Sequence, residues 1–185
     1  MTNPIEPILQ VLQHRESSYA PRTAENAARA QLTVAFAQDF STPGERLTKK
    51  MAGTKYVAIS LDLQPIEAAR LLYKGLRLHQ AQVLNIAGNG IYTLQPKWTQ
   101  ASLNLWVYQV LALVHKHWPL DSVRSGGQTG ADLAGLAAGY ACGVRKVTAL
   151  LPHGYIQRGD DGQDRQNSQA DIRNQILTGA MELPR

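Results

Sequence analysis

The chain alternates short apolar runs with longer amphipathic ones. Leu32–Ala37 (LTVAFA), Tyr56–Leu61 (YVAISL), Val83–Ala87 (VLNIA), Asp121–Arg124 and Val147–Leu151 (VTALL) predict five strands. Between them Gly44–Ala52, Pro65–Leu78, Trp98–Trp118 and Thr129–Cys142 predict helices. Pro65 falls at a first-turn position that tolerates it, while Pro119 and Pro152 stop the elements before them. Mostly apolar strands separated by helices indicate a parallel sheet covered on both faces, with right-handed crossovers. The expected fold class is therefore α/β, a Rossmann-like three-layer sandwich with about five parallel strands. Two segments fall outside the alternation. Ile5, Ile8, Leu9 and Leu12 share one helical face, so Pro4–Arg15 reads as a helix. Gln157–Asn174 is polar and rich in Gly, Asp, Gln and Arg, and reads as a mobile loop leading into a terminal helix. No repeat or interdomain linker interrupts the chain. Residues 1–185 read as one domain, with 1–20 a helical extension and 153–185 a polar C-terminal segment.

Length and composition agree with this. The 185 residues are enough to bury a proper core, and 44% hydrophobic with 18% charged residues is ordinary for a soluble globular protein. A formal charge of +5 favours anionic ligands and allows nonspecific nucleic-acid contact. The basic residues are dispersed, however, and the densest group (Arg46, Lys49, Lys50, Lys55) reads as a solvated helix face. Cys142 stands alone in an apolar stretch, as a buried small hydrophobe would, and a reducing, cytoplasmic compartment is expected. No stretch reaches the roughly 18 apolar residues of a membrane span, and Met1–Arg15 lacks the cationic start of a signal peptide.

One octapeptide carries most of the functional signal. Ser125-Gly126-Gly127-Gln128-Thr129-Gly130-Ala131-Asp132 joins the fourth predicted strand to a helix. Glycine-rich turns at such junctions let the backbone approach a ligand, and the first amides of the helix point at an anion. The pattern is neither the dinucleotide fingerprint nor a P-loop. Thr42-Pro43-Gly44-Glu45, after the first predicted strand, shares its grammar: in both, a Thr is followed three residues later by an acid. That spacing is also a capping box, so helix capping alone accounts for Thr42, Glu45, Thr129 and Asp132. Three glycines in five residues (Gly126, Gly127, Gly130) ask for a further explanation, namely that something approaches the backbone.

The octapeptide resembles the opening motif of the molybdenum cofactor carrier-like family, of the Rossmann-like superfamily that also holds the cytokinin-activating phosphoribohydrolases and the DNA-processing proteins. In that family the motif lies near the N-terminus. Here the remaining pattern comes in front. Tyr19–Asn26 is similar to the family's Tyr…Arg-Thr…Asn stretch, which brings in Arg22 and Asn26. Thr42–Thr48 is similar to its Gly-Gly-Thr-Ala-Leu-Thr turn, and Val83–Gly88 to its last strand, which brings in Gly88. Leu151-Pro152-His153-Gly154 is similar to its Cys-Pro-Lys-Gly segment, with His153 in place of the lysine. The resemblance implies a circular permutation and a strand order of fifth, fourth, first, second, third. It also implies a ligand crevice at the switch point between the fourth and first strands, faced by two helix N-termini.

Ligand contact is therefore expected from Gly126, Gly127, Gln128, Thr129, Gly130 and Asp132 on one side, and from Thr42, Gly44, Glu45, Arg22, Asn26 and Gly88 on the other. The leading reading is binding or sensing of a nucleotide, nucleotide derivative or pterin-nucleotide (molybdopterin-type) cofactor. The alternative is an N-glycosidic hydrolase acting on a nucleoside monophosphate, with Glu45 or Asp132 as the catalytic carboxylate. Nucleic-acid binding is the third reading. No metal cluster is expected, because His14, His79, His115, His117 and His153 are scattered. Asn89, between two glycines, reads as a left-handed turn, and Asp39 and Ser41 as turn formers. Arg158, Arg165 and Arg173 read as a solvated tail, with a phosphate lid as the alternative. The stripe Leu103, Trp106, Val107, Val110, Leu113 reads mainly as core, and assembly into a homo-oligomer is expected from the resemblance.

Overall fold

The computed structural model of the chain describes residues 6–184. Its elements run β1 (Ile8–Gln13), α1 (Tyr19–Ala28), β2 (Leu32–Ala37), α2 (Pro43–Ala52), β3 (Tyr56–Ser60), α3 (Pro65–Leu78), β4 (Val83–Gly88) and α4 (Ile91–Leu94). They continue with α5 (Gln100–His117), β5 (Ser122–Ser125), α6 (Ala131–Ala141), β6 (Lys146–Leu151), the short β7 (Gln157–Arg158) and β8 (Asp164–Arg165), and α7 (Gln169–Met181). The first six strands form one all-parallel sheet in the order β1-β6-β5-β4-β2-β3, and β7 and β8 form a small antiparallel hairpin. This is a doubly wound, Rossmann-like sheet. Among the described residues, no helix is long and apolar enough to cross a membrane.

Three expectations are corrected. The segment read as a helix over Pro4–Arg15 is strand β1, with Pro4 and Ile5 outside the described residues. Leu9 and Val11 point into the core beside Val147, Ala149 and Leu151, while Ile8 and Leu12 are exposed. The spacing of ILQVLQ fits both periods, and the free edge of β6 decides between them. The sheet therefore has six strands.

The strand order also differs from the one that the permuted arrangement implies, since β4 lies between β5 and β2. The cause is which face each helix covers. α1 and α2 pack together on one face, against β6, β2 and β4, whereas α3, α5, α6 and α7 pack in a row on the other. Right-handed crossovers make helices on opposite faces carry the chain in opposite directions across the sheet. α2 therefore moves the chain outward from β2 to β3, and α3 brings it back past β2 to the β4 position.

Gln157–Asn174 is the third correction: the hairpin β7–β8 occupies the segment expected to be a loop, and α7 follows it.

The two sheet faces differ in chemistry. Toward α3, α5 and α6 point Leu32, Val34, Phe36, Ile59, Leu84, Ile86 and Val123, all fully buried. Burial of each such large side chain is worth about 1.5–3 kcal/mol. Gly135 and Gly139 let α6 lie close on this surface, because a Cβ at Gly135 would come within 2.6 Å of Ile86 Cγ2. Toward α1 and α2, alternation turns the small residues Ala35, Ala37, Ala58 and Ala87 and the polar residues Thr33, Asn85 and Arg124. Two helices over small side chains do not fill this face, and a cavity remains between them.

Candidate functional site

The cavity has a volume of about 520 Å³ and opens at the carboxyl edge of the sheet. α1 supplies Tyr19, Arg22, Thr23 and Asn26, and the first turns of α2 supply Thr42 to Glu45, Leu47 and Thr48. Asn85 and Ala87 form its floor, Gly88 to Gly90 its rear edge, and Gly126, Gln128, Thr129, Asp132 and Arg158 the opposite wall. Connections leave β2 and β4 in opposite directions, so the cleft sits at the topological switch point, where such folds bind ligands. That point lies between β2 and β4, one strand from the expected position between β5 and β2.

Of the residues singled out in the sequence, Arg22, Asn26, Thr42, Gly44, Glu45, Gly88, Gly126, Gln128, Thr129 and Asp132 line this one cavity. Gly127 and Gly130 do not, and each answers to the protein itself. A Cβ at Gly127 (φ +72°) would lie 2.6 Å from Leu151 Cδ1. One at Gly130 (φ +95°) would strike the Asn89 carbonyl and lie 2.6 Å from Ile91 N. At Gly126 the close neighbours are the Arg22 guanidinium and Asp132 Oδ2. What approaches the backbone of this loop is therefore largely protein.

The loop's amides are also engaged internally. Gly130 N donates to Gln100 Oε1 (2.6 Å), Ala131 N to Asn89 O, Leu133 N to Gln128 O, and Gln128 N to Asp132 Oδ2. The expected capping by Thr129 is absent: α6 is capped at Gly130, and the Thr129 hydroxyl donates to Arg158 O. α2 behaves differently. Thr42 Oγ1 accepts from Glu45 N (3.3 Å) and Pro43 opens the helix, while the Glu45 side chain turns inward to the Tyr56 hydroxyl. The positive end of α2 thus faces the cleft with Gly44 in its first turn.

Two buried carboxyls share the cavity wall with one buried guanidinium. Glu45 is 3% exposed and Asp132 5%. Burial pushes the Glu45 carboxyl up to about 7; the neighbouring Asp132 adds to the rise and the Tyr56 hydrogen bond opposes it. Asp132 is also raised by burial, against the pull of Arg22 Nη1 at 3.4 Å. Tyr56 and Tyr19 are each pushed up to about 12, chiefly by burial. Three buried polar atoms of cavity-lining residues, Arg22 Nε, Glu45 Oε2 and Asn85 Oδ1, have no hydrogen-bond partner among the described residues. Such atoms each cost about 1–3 kcal/mol when left unmet, which makes this the least satisfied polar region of the described residues.

Several residues that build the site carried no decisive sequence signal. Asn89 is a clamp and not a left-handed turn. Its Oδ1 accepts from Gln38 N (2.9 Å) and Asp39 N (3.0 Å), and its Nδ2 donates to Asp39 O (2.9 Å), tying the β2 loop to the β4 loop. Tyr19 has two guanidiniums near its ring, Arg22 and Arg158 at 5.5 and 5.7 Å from the centroid, and donates to Asp164. Arg158 therefore belongs to the rim of the cleft, held by a double hydrogen bond to Asp164. Arg165 pairs with Asp161, and Arg173 Nη1 donates to Leu9 O, so neither forms part of the cleft. His153 lies outside it, and Asp39 folds back on Ser41 as a turn former. Arg46, Lys49, Lys50 and Lys55 are all exposed. Cys142, expected to be buried, is half-buried, with its thiol pushed up to about 12 by burial. Among the described residues, no group of three or more His, Cys, Asp or Glu side chains could hold a metal ion.

No protein-family model matches the chain, and no curated protein sequence matches it. The α/β architecture with its six-stranded parallel sheet is what the sequence and structure establish together.

Proposed function

We propose that the cleft between α1 and α2 binds a nucleotide or nucleotide derivative, as a carrier or sensor. One observation carries this reading. A cavity of ligand size lies at the switch point, with the Arg22 guanidinium and the N-terminal turn of α2 both facing into it. Arg22 and Arg158 supply positive charge for phosphate at the wall and rim. Burial raises the Glu45 carboxyl to about 7, so near neutral pH it carries only part of a negative charge, and the charge of Asp132 is offset by Arg22 beside it. The likeness of Ser125–Asp132 to the molybdenum cofactor carrier-like family supports the same ligand class and extends it to pterin nucleotides.

A second reading, N-glycosidic hydrolysis of a nucleoside monophosphate, is favoured by the Glu45 carboxyl at about 7. A carboxylate that titrates near the working pH suits proton transfer. Glu45 would take a proton from water as the water oxygen bonds to C1′ and the C1′–N bond breaks, the base leaving with its electron pair.

A thermal-shift screen against mononucleotides, dinucleotide cofactors, cyclic nucleotides and molybdopterin tests the binding reading, with Arg22→Met alongside. A shift specific to one ligand class and lost in Arg22→Met supports it; no shift from any of them contradicts it. Chromatography of the same mixtures for released base separates the two readings. Glu45→Gln should abolish any release while retaining binding.

A further inference from the structure

All strands of the main sheet run the same way, so their first residues share one edge, and α1, α2, α3, α5 and α6 end there. This amino edge lies at the opposite end of the strands from the cleft. Backbone hydrogen bonds of 2.9–3.2 Å tie its segments side by side: Gln31 N donates to Val83 O, Asp121 N to Gln82 O, Lys146 N to Asp121 O and Ile8 N to Arg145 O. Six strands at about 4.8 Å spacing make the edge about 24 Å long.

Cations that are dispersed in the sequence gather on this edge. Lys49 and Lys50 lie in the last turn of α2, and Lys55 stands before β3. Lys74 and Arg77 lie in the last two turns of α3, and Lys116 in the last turn of α5. Arg29 caps α1, and Arg145 and Lys146 open β6. All are exposed. Among the described residues, only Arg29 of this set is in an ion pair, with Glu25. The acids near this edge are Glu25, Asp121 and Glu6, which accepts from the Tyr140 hydroxyl. Helix dipoles favour a cation at each helix end. They account neither for Arg145 and Lys146, which lie beyond the end of α6, nor for the shortage of carboxylates.

We propose that the amino edge binds double-stranded nucleic acid through its phosphates, without reading base sequence. A duplex carries one charge per ~1.7 Å of axis, so about 24 Å of it presents on the order of 14 phosphates to these cations. Single strands are held by bases stacked on exposed aromatic rings, and among the described residues the exposed aromatic side chain is Tyr92, at the carboxyl edge. A membrane surface calls for an apolar face beside the cations. The large apolar side chains exposed at this edge, Ile8, Met51 and Leu78, come from β1, α2 and α3 on different sides of the sheet and form no such face. The inference stands whether or not the cleft holds a nucleotide.

Fluorescence anisotropy of the full chain with a short labelled DNA duplex of mixed sequence, and with one of its single strands, tests it from about 50 to 200 mM salt. The duplex should bind at least about tenfold more tightly than the single strand, with log K falling against log salt at a slope of about −4 or steeper. Lys49→Glu with Lys50→Glu, and Arg145→Glu with Lys146→Glu, should each weaken binding at least about tenfold. Arg15→Glu with Lys97→Glu, the same charge change at the carboxyl edge, should weaken it less than about threefold. Equal losses in all three variants mean attraction by net charge alone and overturn the site. Displacement of the duplex by excess adenosine 5′-monophosphate places it in the cleft and overturns the edge. No duplex binding at low salt overturns the proposal, and flotation with vesicles of phosphatidylserine and phosphatidylcholine in its place assigns the edge to a membrane surface. The wild-type salt slope and strand preference decide even if a variant does not fold.

Discussion

Arg22 on α1 and Asp132 in the first turn of α6 form a buried ion pair, Nη1 to Oδ2 3.4 Å, packed against the bare Cα of Gly126. The pair joins the two walls of the cleft, and the missing side chain at position 126 gives it room. Gly126→Ala should displace the guanidinium, which is the movable partner, and leave Asp132 without its cation. We expect a loss of about 1–3 kcal/mol in chemical denaturation, with the fold retained. Nucleotide affinity should fall at least tenfold in calorimetry.

Glu45 gives the protein a pH-dependent stability of defined sign. Its carboxyl titrates at about 7 in the folded chain against 4.5 for a free glutamate. Between these values the folded state holds a proton that the unfolded state has lost, so stability falls as pH rises from about 4.5 to 7. At about 1.4 kcal/mol per unit, the full effect is about 3 kcal/mol. Asp132, also raised by burial, acts in the same direction. Glu45→Gln should therefore stabilise the ligand-free protein more at pH 8 than at pH 5 in thermal melts. An equal change at both pH values would refute the assignment.

The glycines separate by what surrounds them. Gly130 has φ +95° and backbone atoms on every close approach, so Gly130→Ala should cost about 3 kcal/mol or more. Gly44, in the first turn of α2, has nothing within 4 Å of a Cβ. Gly44→Ala should be neutral or stabilising by up to about 1 kcal/mol. Urea denaturation of the two variants checks the contrast.

Gln128 staples the hairpin to the glycine-rich loop. Its Nε2 donates to Ile156 O (2.8 Å) and its Oε1 accepts from Arg158 N (2.9 Å), as a strand partner would. Gln128→Ala should raise hydrogen exchange in residues 156–165 while lowering the global unfolding free energy by no more than about 1–2 kcal/mol.

Four of the six sheet strands were legible because each is an apolar run bounded by turn residues, and the short β5 (SVRS) from its place just before the glycine-rich turn. β1 was not, since ILQVLQ suits a helix or an edge strand until β6 is there to pair with it. The strand order was hidden for a related reason. Apolar runs report that a strand is covered, not which face each neighbouring helix takes, and that choice sets the direction of every crossover. The loops lining the cleft were legible from Thr42-Pro43-Gly44-Glu45 and from the glycines. The purpose of Gly127 and Gly130 was not, because Leu151 and the Asn89–Ile91 backbone come close only through the fold. Asn85 left a readable trace, a polar residue inside VLNIA. Its alignment with Thr33 and Arg124 depends on register, which no single strand specifies.

Backbone amide NMR of the labelled protein during titration with adenosine 5′-monophosphate tests the central claim most directly. The account predicts saturable shifts concentrated at Gly44, Glu45, Asn85, Gly88, Gly90, Gly126 and Gln128. It predicts none in the broad groove that Gln100 and Asn104 of α5 form with Asn174 and Thr178 of α7. Shifts confined to that groove, or spread over exposed basic residues and abolished by modest salt, would contradict it.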